Sequence, residues 1–259
     1  MNIYEPQGRA REYSPLALNY FKGCDNNCSY CYVPKMLNRF DSKYQHEKVI
    51  KNIDYKKIEK SAAKFRGIDK QILLSFTGDP YCNAEDGETA KVLEILLFYG
   101  HKVAILTKNP AKALNDIVLF RKFGNRFKIG STLTFDNDKD SKEWEPGAEL
   151  PFQRIAALKI LAVLGIKIWA SFEPVISPEQ SLNMLTQVIP FIDHVKIGKI
   201  NNHNGIDKTI DWSRFIEDSV NLLAYGEMQD RFYIKKDLLE FNKSTELSDN
   251  ETNQDFLNL

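Results

Sequence analysis

The sequence has no run of apolar residues near the ~20 that a helix needs to cross a bilayer, so a membrane-spanning protein is not expected. It also has no excess of either charge, because 35 Lys and Arg residues balance 35 Asp and Glu residues. This balance excludes a chain-wide basic surface for nucleic-acid binding but leaves room for a local basic groove. The N-terminal stretch MNIYEPQGRAREY lacks the charged and then apolar order of a signal peptide, and we expect a cytoplasmic protein without a membrane partner.

Three widespread catalytic signatures are missing as well. The chain contains no Walker loop, no His-Glu-x-x-His motif and no Gly-x-Gly-x-x-Gly motif. Cysteine is scarce, with four residues in 259, and a chain of this length can build a core without disulfides. Three of the four cysteines nevertheless fall within eight residues of one another, and this cluster is the most informative feature of the sequence.

Short stretches rich in Val, Ile, Leu and Phe alternate with longer stretches of helical periodicity. We predict strands that are buried on both faces at Leu16–Phe21, Gln71–Phe76, Lys102–Thr107, Phe127–Thr134, Lys167–Phe172 and His194–Ile200. The strand-then-helix order predicts parallel strands joined by right-handed crossovers. Six units are fewer than the eight of a closed barrel, so we expect an α/β fold of the partial (β/α)6 TIM-type barrel kind. A doubly wound sheet is the alternative.

The chain shows no internal repeat and no low-complexity linker, so we predict a single domain over residues 1–241. Its core spans about residues 16–200. A C-terminal extension over 201–241 contains a predicted helix at Asp211–Gly226 and a short strand at Phe232–Ile234. From Asn242 onward the composition is polar and acidic, and we expect residues 242–259 to form a flexible, frayed tail.

The cysteine cluster directly follows the first predicted strand and has the spacing Cys24-x3-Cys28-x2-Cys31. In parallel α/β folds, ligands bind beyond the carboxyl ends of the strands, where this loop lies. Three thiolates on one loop suit three irons of a [4Fe–4S] cube and leave one iron for a non-protein ligand. A structural zinc site normally needs four ligands, and His46 and Cys82 have no characteristic spacing to the loop. Three unrelated buried thiols are a further alternative.

This motif, with an aromatic residue before its last cysteine, resembles the radical S-adenosylmethionine (SAM) superfamily. The resemblance runs from about Ala17 to Ile200 and is greatest to spore-photoproduct-lyase-like proteins, on GCDNNCSYCY, SFTGDPYCNAE, ILTKNP, GSTLTFD and EPGAELPFQRIAAL. It implies a [4Fe–4S] cluster and SAM as cofactors. SAM would bind the open iron through its amino and carboxylate groups, and one electron would cleave it to methionine and a 5′-deoxyadenosyl radical that takes hydrogen from a substrate. A flavodoxin- or ferredoxin-like protein, or dithionite in vitro, is the implied electron donor.

The resemblance also implies SAM-binding roles for residues near the ends of the first strands. Tyr30 corresponds to the residue that packs near the adenine, and Lys108 to a lysine that pairs with the SAM carboxylate. Thr77-Gly78-Asp79 stands where the superfamily has its motif for the SAM amino group. Each has an ordinary alternative, namely core packing for the tyrosine, a solvent-exposed side chain for the lysine and a Gly-Asp-Pro turn for the motif.

Polar residues also end the later predicted strands. Ser131, Thr132 and Thr134 lie where hydroxyls often meet the ribose, although threonine is also a good strand former. Glu173 ends the fifth predicted strand, and we expect its carboxylate to point into the cavity and to hold ribose or substrate.

Arg154 opens the helix after the fourth predicted strand. Its guanidinium offers a rigid bidentate fork to a carboxylate. That carboxylate is either the one of SAM or that of Glu145 or Glu149, in which case the arginine is a structural lock.

One position departs from spore photoproduct lyase. There, a hydrogen-donating cysteine directly precedes the Thr-Ser-Asp that corresponds to Thr77-Gly78-Asp79, but here this position is Phe76. The lyase's own reaction is therefore not carried over. Cys82, a few residues downstream, is the candidate for a different hydrogen donor, and a small buried hydrophobic side chain is its alternative role.

We therefore predict a radical SAM enzyme of unknown substrate, with nucleic-acid chemistry suggested by the resemblance alone and a protein or small-molecule substrate left open. A non-catalytic iron–sulfur electron carrier fits less well, because such proteins usually bind every iron through cysteine. A zinc-stabilised nucleic-acid-binding module is the third hypothesis. Arg9, Arg11, Lys22 and Lys35 form either a basic rim for an anionic substrate or an ordinary solvated surface.

Overall fold

The computed structural model describes residues 1–40, 45–201, 203 and 205–259. Within them, the framework is one eight-stranded sheet whose strand order follows the sequence order. The strands are β1 Ile3–Tyr4, β2 Leu16–Leu18, β3 Gln71–Leu74, β4 Lys102–Thr107, β5 Phe127–Thr132, β6 Lys167–Val175, β7 His194–Lys199 and β8 Phe232–Ile234. β1 is antiparallel to β2, and every later pair from β2–β3 to β7–β8 is parallel.

Helices connect the parallel strands and cover the outer face of the sheet. They are α1 Val33–Leu37, α2 Tyr55–Lys64, α3 Glu88–Phe98, α4 Pro110–Ala113, α5 Ile117–Phe123, α6 Asp138–Trp144, α7 Pro151–Val163, α8 Pro178–Val188, α9 Trp212–Tyr225, α10 Lys236–Leu239 and α11 Asp249–Thr252. Asp54, Ser177 and Asp211 cap α2, α8 and α9 by accepting a backbone N–H from the first turn.

The strand order confirms the partial TIM-type barrel. A doubly wound sheet would reverse its strand order at a switch point, whereas here β2 to β8 follow one another without reversal. Side chains alternate between two apolar clusters, as strand geometry requires. Ile72 and Leu74 pack with helix residues such as Val92, while Leu73 packs with Ala104 and Trp169 on the opposite face, which is the barrel interior.

Four predicted strands, those of β2, β3, β5 and β7, extend further than the observed ones. β2 ends at Leu18 and β3 at Leu74, while Phe21 and Phe76 already belong to loops. Tyr20 and Phe21 are nevertheless buried, because the loop after β2 packs into the core. Apolar composition therefore marked their burial correctly but could not mark where sheet pairing stops.

The C-terminal extension matches its prediction, since α9 lies within Asp211–Gly226 and β8 coincides with Phe232–Ile234. The segment expected to be a frayed tail instead contains α11 and contacts the amino-terminal ends of the strands. Gln71 Nε2 donates to the Asn258 side chain at 2.9 Å and Lys128 Nζ to the Leu257 carbonyl at 2.6 Å. The amino-acid composition of the segment does not reveal such hydrogen bonds. In the described part of the chain, no helix is both long and apolar enough to cross a bilayer.

Candidate active site

The clustered cysteines lie on the loop between β2 and α1. Cys24 is buried, Cys28 and Cys31 are half-buried, and all are free thiols. The loop is anchored from outside, because the Ser29 N–H donates to the Trp144 carbonyl at 2.9 Å. The predicted loop thus presents its thiols at the carboxyl end of the first parallel strand, where ligands bind in such folds.

The loop after β3 packs directly onto this cysteine loop. A Cβ atom at Gly78 would lie 2.6 Å from the Gly23 carbonyl oxygen and 2.7 Å from the Phe21 ring. A Cβ atom at Gly147 would overlap the Asp25 carbonyl. Glycine is therefore required on both sides for the neighbouring loops to approach the cysteines so closely.

Asp79 ties together the loops that follow β2, β3 and β4. Its Oδ1 accepts from the Thr107 hydroxyl at 2.5 Å and from the Tyr81 N–H at 2.9 Å. Its Oδ2 accepts from Asn26 Nδ2 at 2.9 Å and from the Lys108 N–H at 2.7 Å. A carboxylate has about four acceptor sites, so the protein itself occupies them all. These four bonds give the Asp79 side chain a structural role, and its contact with the SAM amino group stays a prediction.

Thr77 and Gly78 remain half-buried beside the cysteine loop. The Thr77 hydroxyl donates to the Phe21 carbonyl at 3.4 Å. Their predicted part in holding an amino group therefore rests on backbone carbonyls, which are acceptors that suit an ammonium.

Glu145 is the centre of a second polar cluster and is fully buried. Arg154 Nη2 donates to its Oε2 at 2.5 Å, and the Tyr30 hydroxyl donates to its Oε1. Thr134 Oγ1 donates to Oε1 at 3.3 Å, and Lys108 Nζ lies 4.0 Å away. Burial favours protonation of Glu145, but Arg154 and Lys108 outweigh it and lower its pKa. One carboxylate thus faces two cations, which leaves the cluster with a net positive charge.

Arg154 has its guanidinium bound on three sides. Nε donates to the Glu149 carbonyl at 2.8 Å and Nη1 to the Thr132 carbonyl at 3.0 Å, in addition to the Glu145 pair. The side chain is 1% exposed. Of its two predicted roles, the structure supports the structural lock, because the guanidinium is already hydrogen-bonded to other groups of the protein.

Lys108 stands between the cysteines and the Glu145 cluster. Its Nζ lies 5.5 Å from the centre of the Tyr30 ring. Burial lowers the pKa of Lys108, but Cys28 and Glu145 outweigh it and raise the pKa above its ordinary value. In return, Lys108 offsets part of the burial that raises the pKa of Cys28 to about 12 and that also raises the pKa of Cys31. A permanent ammonium beside these sulfurs favours thiolates and anionic ligands.

Tyr30 does not offer a free hydroxyl, because Glu145 accepts it. Its ring lies 6.4 Å from the Trp144 ring, which lies 5.2 Å from the His203 ring. The contact of the face of the Tyr30 ring with adenine stays a prediction. Trp144 and His203 were not singled out from the sequence, because neither belongs to a spaced motif.

The hydroxyls at the end of β5 are buried. Ser131 Oγ donates to the Thr107 carbonyl at 2.9 Å, and Thr134 donates to Glu145. The ribose contact of Ser131 stays a prediction, and its hydroxyl could take part only as an acceptor because it already donates. For Thr132, whose carbonyl holds Arg154, the side-chain contact with ribose stays a prediction.

Glu173 lies on the inner face of β6 and is 17% exposed. Lys235 Nζ donates to both its oxygens at 2.9 and 2.7 Å, and the Tyr13 hydroxyl also donates to it. A Cβ atom at Gly198 on β7 would lie 2.8 Å from Lys235 Cδ and 3.0 Å from Glu173 Cδ. Gly198 thus leaves room for the Lys235–Glu173 ion pair inside the barrel. The sequence analysis predicts that the Glu173 carboxylate points into this interior.

Cys82 is 0% exposed and lies behind the cysteine loop. Cys82 beside Cys24, together with burial, raises the pKa of Cys24. The role of Cys82 as a hydrogen-atom donor to substrate stays a prediction, and its full burial agrees with the alternative of a small buried hydrophobic side chain.

The donor set fits a [4Fe–4S] cluster by residue type, with three free thiols on one loop beside a buried cation. His46 Nε2 lies 3.5 Å from Cys31 Sγ. Among the residues described, however, no three His, Cys, Asp or Glu side chains converge on a single metal position. A cube binds each thiolate at a separate iron and so accepts more widely spaced sulfurs than one ion does.

Two residues of the predicted basic rim, Arg9 and Arg11, pair with acidic side chains, and the rim as a whole stays a prediction. Arg9 pairs with Asp237 beyond β8 at 3.4 Å. Arg11 instead forms a bidentate pair with Asp255 of the C-terminal segment at 2.6 and 2.7 Å. The two arginines therefore serve different parts of the fold.

Comparison with known proteins gives two curated relatives. The uncharacterised protein ORF301 of Acidianus two-tailed virus is 26% identical over 191 residues, which cover 70% of this chain and 62% of that protein. The uncharacterised protein MJ0683 of Methanocaldococcus jannaschii is 30% identical over 161 residues, which cover 61% and 60%. The chain thus spans about three fifths of the length of these relatives.

Among solved structures, a double mutant of spore photoproduct lyase with bound AdoMet and dinucleoside spore photoproduct aligns with a TM-score of 0.66 at 11% identity, covering 90% of this chain and 78% of that one. SuiB of Streptococcus suis bound to S-adenosylmethionine aligns with a TM-score of 0.61 at 18% identity, covering 90% and 50%. These similarities support the fold. The family model described as the radical SAM superfamily matches residues 18–192, more than half of the sequence, and the chain therefore belongs to the radical SAM superfamily.

Proposed function

We propose that Cys24, Cys28 and Cys31 hold a [4Fe–4S] cluster, that SAM binds beside it, and that the protein abstracts hydrogen from a substrate not yet identified. When bound, the cluster supplies one electron to cleave SAM to methionine and a 5′-deoxyadenosyl radical. The observation that carries the proposal is the placement of the three free thiols on one loop, next to the buried Lys108 ammonium.

Lys108 is the group best suited to hold the SAM carboxylate. Its pKa lies above the ordinary value because Cys28 and Glu145 outweigh burial, so it stays charged at neutral pH. Charge-assisted hydrogen bonds to a carboxylate are roughly twice as strong as neutral ones. Asp79 contributes indirectly, since it binds the Lys108 N–H and thereby fixes where the side chain begins.

We propose a nucleic-acid-related substrate that enters at the carboxyl end of the barrel. Tyr13 packs against Phe76, with ring centres 6.3 Å apart, and both half-buried rings offer a flat apolar surface to a base. Glu173 adds an acceptor for an amino or imino group. The lyase neighbour was solved with a dinucleoside spore photoproduct, but SuiB was solved with a precursor peptide, so a peptide is the competing substrate class. A flavodoxin- or ferredoxin-like protein is the proposed electron donor.

The test is anaerobic reconstitution with iron and sulfide, followed by incubation with SAM and dithionite. The wild-type chain is expected to release 5′-deoxyadenosine, measured by chromatography and mass spectrometry. A variant with Cys24, Cys28 and Cys31 changed to Ala is expected to bind no cluster and release none. Ser29→Ala, an exposed change in the same loop, is the matched control and should retain both.

Other outcomes separate the alternatives. A cluster-bearing wild type that leaves SAM unaltered would indicate an electron carrier. Stoichiometric zinc without iron, after strictly anaerobic preparation, would indicate the zinc module.

A further inference from the structure

We propose that His46 is a positioning residue for the cluster: its Nε2–H donates a hydrogen bond to the Cys31 sulfur and so raises the reduction potential of the cluster that Cys31 binds. This inference rests on the proposed function. The sequence analysis considered His46 only as a fourth zinc ligand, whereas this role keeps it outside the coordination of the metal. A less negative potential makes the cluster easier to reduce by the proposed flavodoxin- or ferredoxin-like donor.

The distance between the imidazole and a predicted cluster ligand carries the inference. His46 Nε2 lies 3.5 Å from Cys31 Sγ, which is within hydrogen-bond reach of a sulfur atom. His46 is 8% exposed, so water competes little for the contact. In such surroundings a hydrogen bond is stronger than at the surface of a protein.

The backbone around His46 is paired with the cysteine loop. The Cys24 N–H donates to the His46 carbonyl at 2.8 Å. Further along, the Ile50 N–H donates to the Lys22 carbonyl at 2.8 Å, and the Lys22 N–H donates back to the Ile50 carbonyl at 3.3 Å. These bonds hold the two segments side by side in a fixed antiparallel register. The position of the imidazole therefore does not depend on its contact with sulfur alone.

Gly23 allows the two segments to approach this closely. Its φ is +91°, and a Cβ atom there would lie 2.5 Å from the Lys48 carbonyl oxygen and 2.9 Å from that of His46. Both the backbone conformation and the lack of space require glycine. The loop that carries the cysteines is thus built to receive the backbone of His46.

The chemistry of the pair sets the direction of the hydrogen bond. A cysteine that binds iron does so as a thiolate and can only accept, so the hydrogen must lie on Nε2 of the imidazole. Reduction adds one electron, with its negative charge, to the cluster and its sulfurs, and a donor aimed at one sulfur stabilises that form. Hydrogen bonds to sulfur are among the factors that set cluster potentials.

The decisive measurement is a redox titration of the reconstituted protein, followed by electron paramagnetic resonance. His46→Leu, which has no donor, is expected to shift the midpoint potential to more negative values. His46→Gln carries an amide N–H at the position of Nε2 and should keep the potential near the wild-type value. His46→Asn is the matched control, because its amide reaches only as far as Nδ1, and it should shift the potential as leucine does.

A second measurement uses the wild-type chain. Protein labelled with nitrogen-15 histidine is reconstituted, reduced with dithionite and examined by pulsed electron paramagnetic resonance. A hydrogen-bonded imidazole should give a weak nitrogen-15 coupling to the cluster spin, which His46→Gln should remove. The strong coupling of a directly bound nitrogen would make His46 an iron ligand and overturn the inference, as would the absence of any coupling.

An unshifted potential in His46→Leu and His46→Asn, or an equal shift in His46→Gln, would also overturn the inference. These results leave the proposed function intact, because the cluster is present in each. If the variants assemble no cluster, the labelled wild type still decides the question. A wild-type chain that assembles no cluster would instead overturn the proposed function and this inference with it.

Discussion

Buried lysines occur at both ends of the barrel, and the two ends surround them differently. At the carboxyl end, Lys108 faces Glu145 and the Cys28 thiol, and these outweigh burial to raise its pKa. At the amino end, Lys128 faces the Leu257 carbonyl, and in the middle of β7 Lys196 faces the Glu12 carbonyl. Burial, reinforced by Lys196 and Lys167, lowers the pKa of Lys128, and burial with Lys235 lowers that of Lys196 to about 7.

These different surroundings keep Lys108 charged, whereas Lys128 and Lys196 serve as hydrogen-bond donors. Lys196 Nζ donates to the Glu12 carbonyl at 2.6 Å, and Lys128 Nζ lies 3.4 Å from His194 Nε2. An amine needs no charge to make such bonds. The carboxyl end keeps a permanent cation where an anionic cofactor group is proposed to bind, and the amino end uses the same residue type to hold the chain together.

The largest expected effect is on stability and comes from changing Glu145. Without this carboxylate, the surroundings of Lys108 would resemble those of the lysine at the amino end. Glu145→Gln leaves Arg154 and Lys108 without their carboxylate. Breaking a buried pair in this way typically costs about 3–5 kcal/mol of the free energy of unfolding. Urea denaturation measures the loss, and Glu143→Gln on the exposed face of α6 is the control. Equal stability of the two variants would contradict the assignment.

The next effect compares the two ends directly. Lys108→Met is expected to weaken SAM binding by roughly 10- to 100-fold, because one charge-assisted hydrogen bond is worth about 1.5–3 kcal/mol. Lys128→Met, also buried, should leave SAM affinity within about twofold, since its donor binds the Leu257 carbonyl at the other end. Calorimetric titration of the reconstituted variants gives both values. Similar losses would show that the two ends are not independent.

The third prediction concerns pH. Because the pKa of Lys196 falls to about 7 on folding, the unfolded chain binds more protons than the folded one between about pH 7 and the ordinary pKa near 10.4. The free energy of unfolding should therefore rise with pH over this range, with a slope of at most about 1.4 kcal/mol per pH unit from this residue. Lys128 acts in the same direction, while Asp255 and Glu12 reduce the effect on Lys196.

Urea midpoints measured from pH 7 to 10 test this. Lys196→Met should flatten the rise, and Lys102→Met, whose ammonium is half-buried at the surface, should not. A wild-type profile that falls across the interval would mean that Lys196 stays charged in the folded chain.

The smallest expected effect concerns the ion pair that ties the C-terminal segment to the amino end. Arg11→Ala removes the bidentate contact with Asp255, which is partly exposed, and should cost about 0.2–1 kcal/mol of the free energy of unfolding. Thermal denaturation in low and in high salt is the measurement. Because salt screens such pairs, the difference from wild type should shrink in high salt.

Sequence reasoning worked where a residue type implies its own surroundings. Runs of Val, Ile and Leu predicted the inner strands, and a spaced cysteine triplet predicted its loop. It was less successful where the partner decides the role. Asp79 and Arg154 are typical ligand-binding residues, yet the hydrogen-bonding groups of each are already occupied by other groups of the protein.

Glu145 shows the opposite error. The sequence offered it only as one of two carboxylates for Arg154, and only the fold brings Tyr30 and Lys108 to its oxygens as well. The polar C-terminal segment is a similar case, because its anchors on Gln71 and Lys128 lie at the starts of distant strands. Composition describes a segment by itself and carries no information about the surface that receives it.

The C-terminal segment also blocks passage of molecules through the amino end of the barrel. With residues 255–259 laid across the amino-terminal ends of the strands, a molecule in the interior leaves by the opening through which it arrived.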